Sequence, residues 1–163
     1  STFIRTHIER AYGVDLDAGL DARQRAECWA IERTLEDHLY FAMVWFRWID
    51  PINFGKGPAQ FASGANEAER AQMRQALQER KRADLHAQGI GRLTAAQIAA
   101  SGERSIDALA QLLGDRRYFG GERPVGVDAT ALGVLAGVAT PFFDTPRYYP
   151  EHAWHTAADA QHA

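Results

Sequence analysis

Three clusters of residue types in this 163-residue chain have the makings of chemistry. His152, His155, Asp159 and His162 gather imidazoles and a carboxylate near the C-terminus, the donor types of a zinc site. A His-x-x-His spacing alone lacks the second ligand pair of such a site. A polar tail accounts for it, and no metal is expected. Cys28, the single thiol, lies on an apolar helical face with no histidine beside it in sequence. It reads as a small core residue, with a reactive thiol as the alternative. Glu36-Asp37-His38 sets acid and base types just ahead of an aromatic run. Charges on the edge of a buried stripe explain them, and general acid–base work is the other reading. No Gly-rich phosphate loop, zinc-ligand cysteine pair or nucleophile elbow is present.

The element that must position these groups runs from Cys28 to Asp50. Cys28, Ile31, Leu35, Leu39, Ala42, Phe46 and Ile49 recur at steps of three and four, the period of a helix with one buried face. After His38, the residues Tyr40, Phe41, Val44, Trp45 and Trp48 add apolar and aromatic groups on other faces. A helix apolar all round must be covered on several sides. Its aromatic end therefore reads as core, as one wall of a pocket for an apolar ligand or neighbouring domain, or as both.

The other elements follow the same logic. Thr2 to Tyr12 reads as a short helix with Ile4, Ile8 and Ala11 or Tyr12 on one face, an Arg5–Glu9 pair outside and Gly13 past its end. A helix so short is marginal alone, so its apolar face needs a partner. Asp21 with Gln24 predicts a capping box opening the long helix, and Pro51 stops it. Pro51 to Gly64, rich in Gly and Pro, reads as a loop. Asn66 with Glu69 opens a charged, peripheral helix to about Gln88, in which Arg80-Lys81-Arg82 is a solvated face between Glu79 and Asp84. Thr94 with Gln97 caps a helix from Ala95 to Leu113. Asp128 to about Ala139 is nearly uncharged, with Ala129, Leu132, Leu135, Ala136 and Ala139 apolar. It is expected in the middle of a bundle, where Gly133 and Gly137 let another backbone approach. Helices throughout and no convincing strand argue an all-α domain.

A net charge of −3 gives no electrostatic case for nucleic acid or an anionic membrane. The longest weakly polar run, Ala129 to Phe143, is short for a membrane span and is broken by Gly133, Gly137 and Pro141. One cysteine and no leader pattern at Ser1 suit a reducing, cytoplasmic setting.

Several stretches together resemble the glutathione S-transferase family. Ser1-Thr-Phe-Ile-Arg-Thr-His-Ile-Glu-Arg-Ala-Tyr-Gly13 resembles the segment closing that family's thioredoxin-like half. The stretch from Leu113 through Tyr118-Phe-Gly-Gly121 to Asp128-Ala-Thr130 resembles the loop and start of the central helix in its helical C-terminal domain. Leu35 to Trp48 and Leu85 to Arg92 look like the bacterial, metaxin-like and failed-axon-connection-like branch.

The resemblance implies a domain plan: residues 1–13 as the last helix of a thioredoxin-like domain, 14–146 as the helical C-terminal-like bundle, and 147–163 as a tail matching no family element. It implies that the thioredoxin-like half, with the group that activates glutathione, lies largely outside the chain. The chain alone is then expected to be inactive. Glutathione is the implied co-substrate. Ser1 is the implied contact to its γ-glutamyl carboxylate, as a hydroxyl at a helix N-terminus suits a carboxylate. Tyr40, Phe41 and Trp45 are the implied pocket for an apolar co-substrate. The implied partner is a thioredoxin-like domain, or a second copy meeting the Thr2–Tyr12 helix. The alternative is a non-catalytic binding or scaffold module of the same fold. One departure stands out: where the family has a Ser or Thr cap before the central helix, this chain has Val125, a loss of about 1 kcal/mol at such positions.

Overall fold

The computed structural model describes residues 2–64 and 66–144. Among these every regular element is helical, as expected. The one β contact is the Tyr118–Gly121 bridge, a tight turn closed by two backbone hydrogen bonds. The helices are α1 Thr2–Tyr12, α2 Ala22–Arg33, α3 Tyr40–Ile49, α4 Pro51–Lys56, α5 Glu67–Gln88, α6 Ala95–Leu113 and α7 Gly126–Ala139. Ser1, the tail from residue 145 with its histidines, and the implied role of each lie outside the described residues.

The central rod forms from the predicted stripe. Cys28, Ile31, Leu35, Leu39, Ala42 and Phe46 are all buried, and α5, α6 and α7 pack around them with Leu85, Ile98, Ile106, Leu109, Val127 and Val138. Asp21 and Gln24 exchange their capping hydrogen bonds at 2.8 and 2.9 Å, and Thr94 with Gln97 does the same for α6. Asp50 is extended (ψ 125°), so the rod ends at Ile49 as the following proline requires.

Three features depart from the sequence-based expectations. The rod is not one uniform α-helix, because Thr34–Leu39 is a π turn in which Tyr40 N–H reaches back to the Leu35 carbonyl. Such turns accommodate an extra residue and are frequent at functional sites. Second, residues 51–61 are not an irregular loop. Asp50 caps α4 by accepting the Asn53 N–H at 2.9 Å, Pro51 takes the first turn where its missing N–H is harmless, and a 3₁₀ turn follows at Pro58–Phe61.

The third departure is α7, which lies at the edge of the bundle. Its buried positions are Val127, Ala131, Val134 and Val138, while Leu132 is 72% exposed. Its residues are so uniformly small and apolar that the sequence gives no face to read. Helix α1, whose apolar face was expected to need a partner, buries no side chain: Phe3 is 90% exposed and Tyr12 77%. Polar contacts hold it in place. Arg5 pairs with Asp17 at 2.5 Å, Asp17 accepts the Gly126 N–H at 3.1 Å, and Arg33 donates to the Thr2 hydroxyl.

Candidate functional site

A groove of about 810 Å³ runs between the π turn with α3 on one side and α7 on the other. Tyr40, Phe41 and Met43 supply one wall, and Thr130, Gly133 and Val134 the other. Tyr40 and Phe41 meet edge to face, 5.4 Å between ring centroids, in the favoured geometry for aromatic pairs. A Cβ on Gly133 would meet nothing within 4 Å, so this glycine widens the groove. Gly137 is the close approach: a Cβ there would come 2.9 Å from the Met43 sulfur.

Each end of the groove is charged. Glu36 and Asp37 line one end, and Arg33 holds both, at 2.5 and 3.0 Å. Arg47 lines the other end. Its Nη2 donates to the Gly137 carbonyl and its guanidinium lies over the Phe143 ring, 4.6 Å from the centroid. Burial pushes the Arg47 guanidinium below its ordinary value, with the nearby Tyr40 opposing the shift weakly. Asn53, fully buried, braces this end. Its side-chain amide donates to the carbonyls of Phe46 and Asp144 and accepts the Asp144 N–H at 2.7 Å, while Lys56 pairs with Asp144 at 2.8 Å.

The structure brings Tyr40 and Phe41 together in the groove and places Trp45 elsewhere. Trp45 lines a separate depression with Ile49, Arg82, Leu85 and His86, between α3 and α5. Trp45 lies about 140° round the helix from Tyr40, enough to point it at a different neighbour. A third cavity, about 370 Å³ between α6 and α7, is walled by Ile106, Leu109, Leu113 and Leu135. Apart from Arg117 and Asp128 its lining is apolar, so it offers few polar contacts to orient a small ligand.

The remaining candidates resolve into structural roles. Cys28 is buried, and burial pushes its thiol up, with the charges of Asp17 and Asp128 adding to the shift, so the thiolate is disfavoured. His38 spans to α6 and meets the hydroxyls of Ser105 and Ser101. Val125 caps nothing with its side chain, but Asp128 compensates. Its carboxylate accepts the N–H groups of Val125 and Phe119, each at 2.8 Å, and the Asp128 N–H bonds the Val125 carbonyl at 3.0 Å. Among the described residues no group of three metal-ligating side chains comes together, and no helix is long and apolar enough to cross a membrane.

Arg47, Asn53 and Gly137 were not singled out as site residues by sequence. Arg47 carried the one available signal, a lone cation inside an otherwise apolar helical run.

Comparisons with known proteins bear on these segments. Residues 1–53 match the family model of the glutathione S-transferase N-terminal domain, and residues 102–155 match that of the C-terminal domain. The expectation that the N-terminal domain is largely missing from the chain is therefore not borne out, although this stretch contains no strand among its described residues. The isoprene-epoxide–glutathione S-transferase of Rhodococcus sp. (strain AD45) is 27% identical over 141 residues, covering 85% of this chain and 59% of that protein. Failed axon connections of Drosophila melanogaster is 29% identical over 147 residues, covering 83% of this chain and 35% of that protein. No solved structure matches the chain. Over two segments that together form both walls of the groove, the chain is similar to the glutathione S-transferases.

Proposed function

We propose that the chain provides the apolar co-substrate pocket of a glutathione S-transferase-like protein. One observation carries this reading. The groove is built from Glu36 to Arg47, inside the segment matching the family's N-terminal domain, and from Ala129 to Gly137, inside the segment matching its C-terminal domain. In the full-length protein the glutathione thiolate attacks an electrophilic carbon, a C–S bond forms, and the bond to the leaving atom breaks. For an epoxide, the class named for the Rhodococcus relative, the C–O bond opens to an alkoxide that takes a proton. Tyr40 and Phe41 hold the apolar body of the electrophile. Ser1, by resemblance, holds the γ-glutamyl carboxylate, and the exposed face of the Thr2–Tyr12 helix is where a second copy docks.

The chain spans only about three-fifths of the Rhodococcus relative and a third of the Drosophila one. The test uses the full-length protein with a chromogenic electrophile. Tyr40→Ala should raise KM for the electrophile several-fold and leave KM for glutathione unchanged. Unaltered electrophile kinetics would remove the groove from the reaction.

A second reading is a binding module without turnover. The groove's own charges favour it: Arg33 holds Glu36 and Asp37, and Arg47 is turned onto a backbone carbonyl. Ligand binding by full-length protein that conjugates nothing above background would select this reading.

A further inference from the structure

Arg47 is a half-buried cation inside an apolar helix. Arg5, Arg25 and Arg33 each have a carboxylate partner within 3.0 Å, which holds the guanidinium well charged. Arg47 has none among the described residues. Its contacts are a backbone carbonyl and a phenyl face, both neutral, and its Nε is buried without a hydrogen-bond partner. A half-buried cation left uncompensated is costly unless an anion joins it.

The groove supplies a place for that anion. Arg47 is a lining residue at the end where Asn53 and Phe143 fix the surroundings, and Gly137 leaves α7 close at hand. The acidic pair at the far end does not repel a bound anion appreciably. Glu36 is eleven residues from Arg47, roughly 16 Å along a helix, beyond the ~10 Å screening length of ordinary buffer. Both acids are also already paired with Arg33.

We propose that Arg47 is the specificity-determining residue of the groove and selects apolar ligands that carry a carboxylate, with the carboxylate on the guanidinium and the apolar body along Tyr40, Phe41 and Val134. An arginine fork suits a planar carboxylate. The inference rests on the groove being a ligand pocket and is independent of whether transfer chemistry follows.

Decanoate and decanol, alike in chain and different in charge, are the probes, titrated calorimetrically into the full chain. Decanoate should bind at least tenfold more tightly than decanol. Arg47→Met should erase that preference while decanol affinity holds, Arg47→Lys should keep most of it, and Tyr40→Ala should weaken both ligands by a similar factor. Equal affinities in the unmodified chain overturn the carboxylate selectivity and leave the pocket standing. A preference that survives Arg47→Met overturns the assignment to Arg47. Binding of neither probe overturns the pocket itself. Circular dichroism of each variant separates lost binding from lost fold, and Arg47→Gln, which removes the charge and keeps a polar stem, carries the test if the methionine variant does not fold.

Discussion

The Nδ1 of His38 lies 2.9 Å from the Oγ of Ser105, tying the π turn to the middle of α6. Nε2 meets the Oγ of Ser101 at 3.0 Å, so both ring nitrogens are used. Ser105 gives its own proton to the Ser101 carbonyl, so it accepts from Nδ1–H, and Nε2 accepts from Ser101. Replacing His38 by Leu strands these hydroxyls and should cost about 2 kcal/mol, the penalty of buried polar groups losing a partner. Adding Ser101→Ala and Ser105→Ala should recover part of that loss, since removing both sides of a hydrogen bond is nearly neutral. Urea midpoints decide it: a triple variant less stable than His38→Leu contradicts the network.

Asp128 anchors the start of α7 through two N–H bonds to one carboxylate. Asp128→Ala should destabilise by about 3 kcal/mol, two charge-assisted bonds at roughly 1.5 each. Val125→Thr makes a sharper case. A restored cap adds about 1 kcal/mol, and the lost methyl removes about 0.8. The change should therefore stay within about 0.5 kcal/mol of zero, which explains why valine is tolerated there. A gain well above that would mean that Val125 contributes nothing by packing.

These two sites show what the sequence could and could not reveal. The capping boxes and the stripe from Cys28 to Phe46 are local signals in which one helix dictates its own pattern, and both formed. The faces of α7 were illegible, because Val127, Ala131 and Val134 differ little in character from the exposed Ala129, Leu132 and Ala136. Helix α4 was hidden behind its Gly and Pro content, although Asp50-Pro51 is an N-cap followed by a first-turn proline. The groove depends on Met43 and Arg47 meeting Gly137, contacts between residues far apart in the chain that no periodicity encodes. Tyr40 and Phe41 line the groove, whereas Trp45, expected beside them, faces a different neighbour.

Acid stability offers a signed test. The hydrogen bond from Arg25, followed by one from the Asp17 N–H, holds the Asp15 carboxyl below its ordinary value. With the folded value below the unfolded one, the unfolded chain binds the proton first as pH falls. The contribution is present above about pH 3.9, the unperturbed aspartate value, and disappears as pH drops through the folded value. Arg25→Gln should therefore flatten the decline in stability below that pH without changing its slope near neutrality. Parallel curves for the two proteins would show that the pair does not contribute.

The open face of α1 predicts association. Phe3, Ile4, Ile8 and Tyr12 are exposed together and none is needed for the core, so contiguous apolar surface of this kind marks a contact site. Sedimentation of the chain should show mass rising with concentration, and Phe3→Glu with Ile4→Glu should return it to monomer. Because α1 buries nothing, the double variant should keep its thermal midpoint. A chain that stays monomeric at high concentration would dissociate this helix from any self-contact.

The two glycines of α7 should respond to alanine with opposite signs. At Gly133 a methyl meets open space, so Gly133→Ala gains helix propensity alone, about 0.5–1 kcal/mol. At Gly137 the same gain competes with a Cβ only 2.9 Å from the Met43 sulfur and 3.5 Å from the Arg47 Nη2. Overpacking of this kind costs about 1–3 kcal/mol, so Gly137→Ala should lower stability by about 1 kcal/mol after the gain is subtracted. In a chain of this size that separates the two thermal midpoints by roughly 4–8 °C, taking about 2–4 °C per kcal/mol. The second substitution also pushes α7 off Arg47, so its effect should include weaker decanoate binding, while Gly133→Ala narrows the groove without touching the cation. Matching shifts from both alanines would mean that α7 is free to move away from α3, and the groove would then have no fixed width.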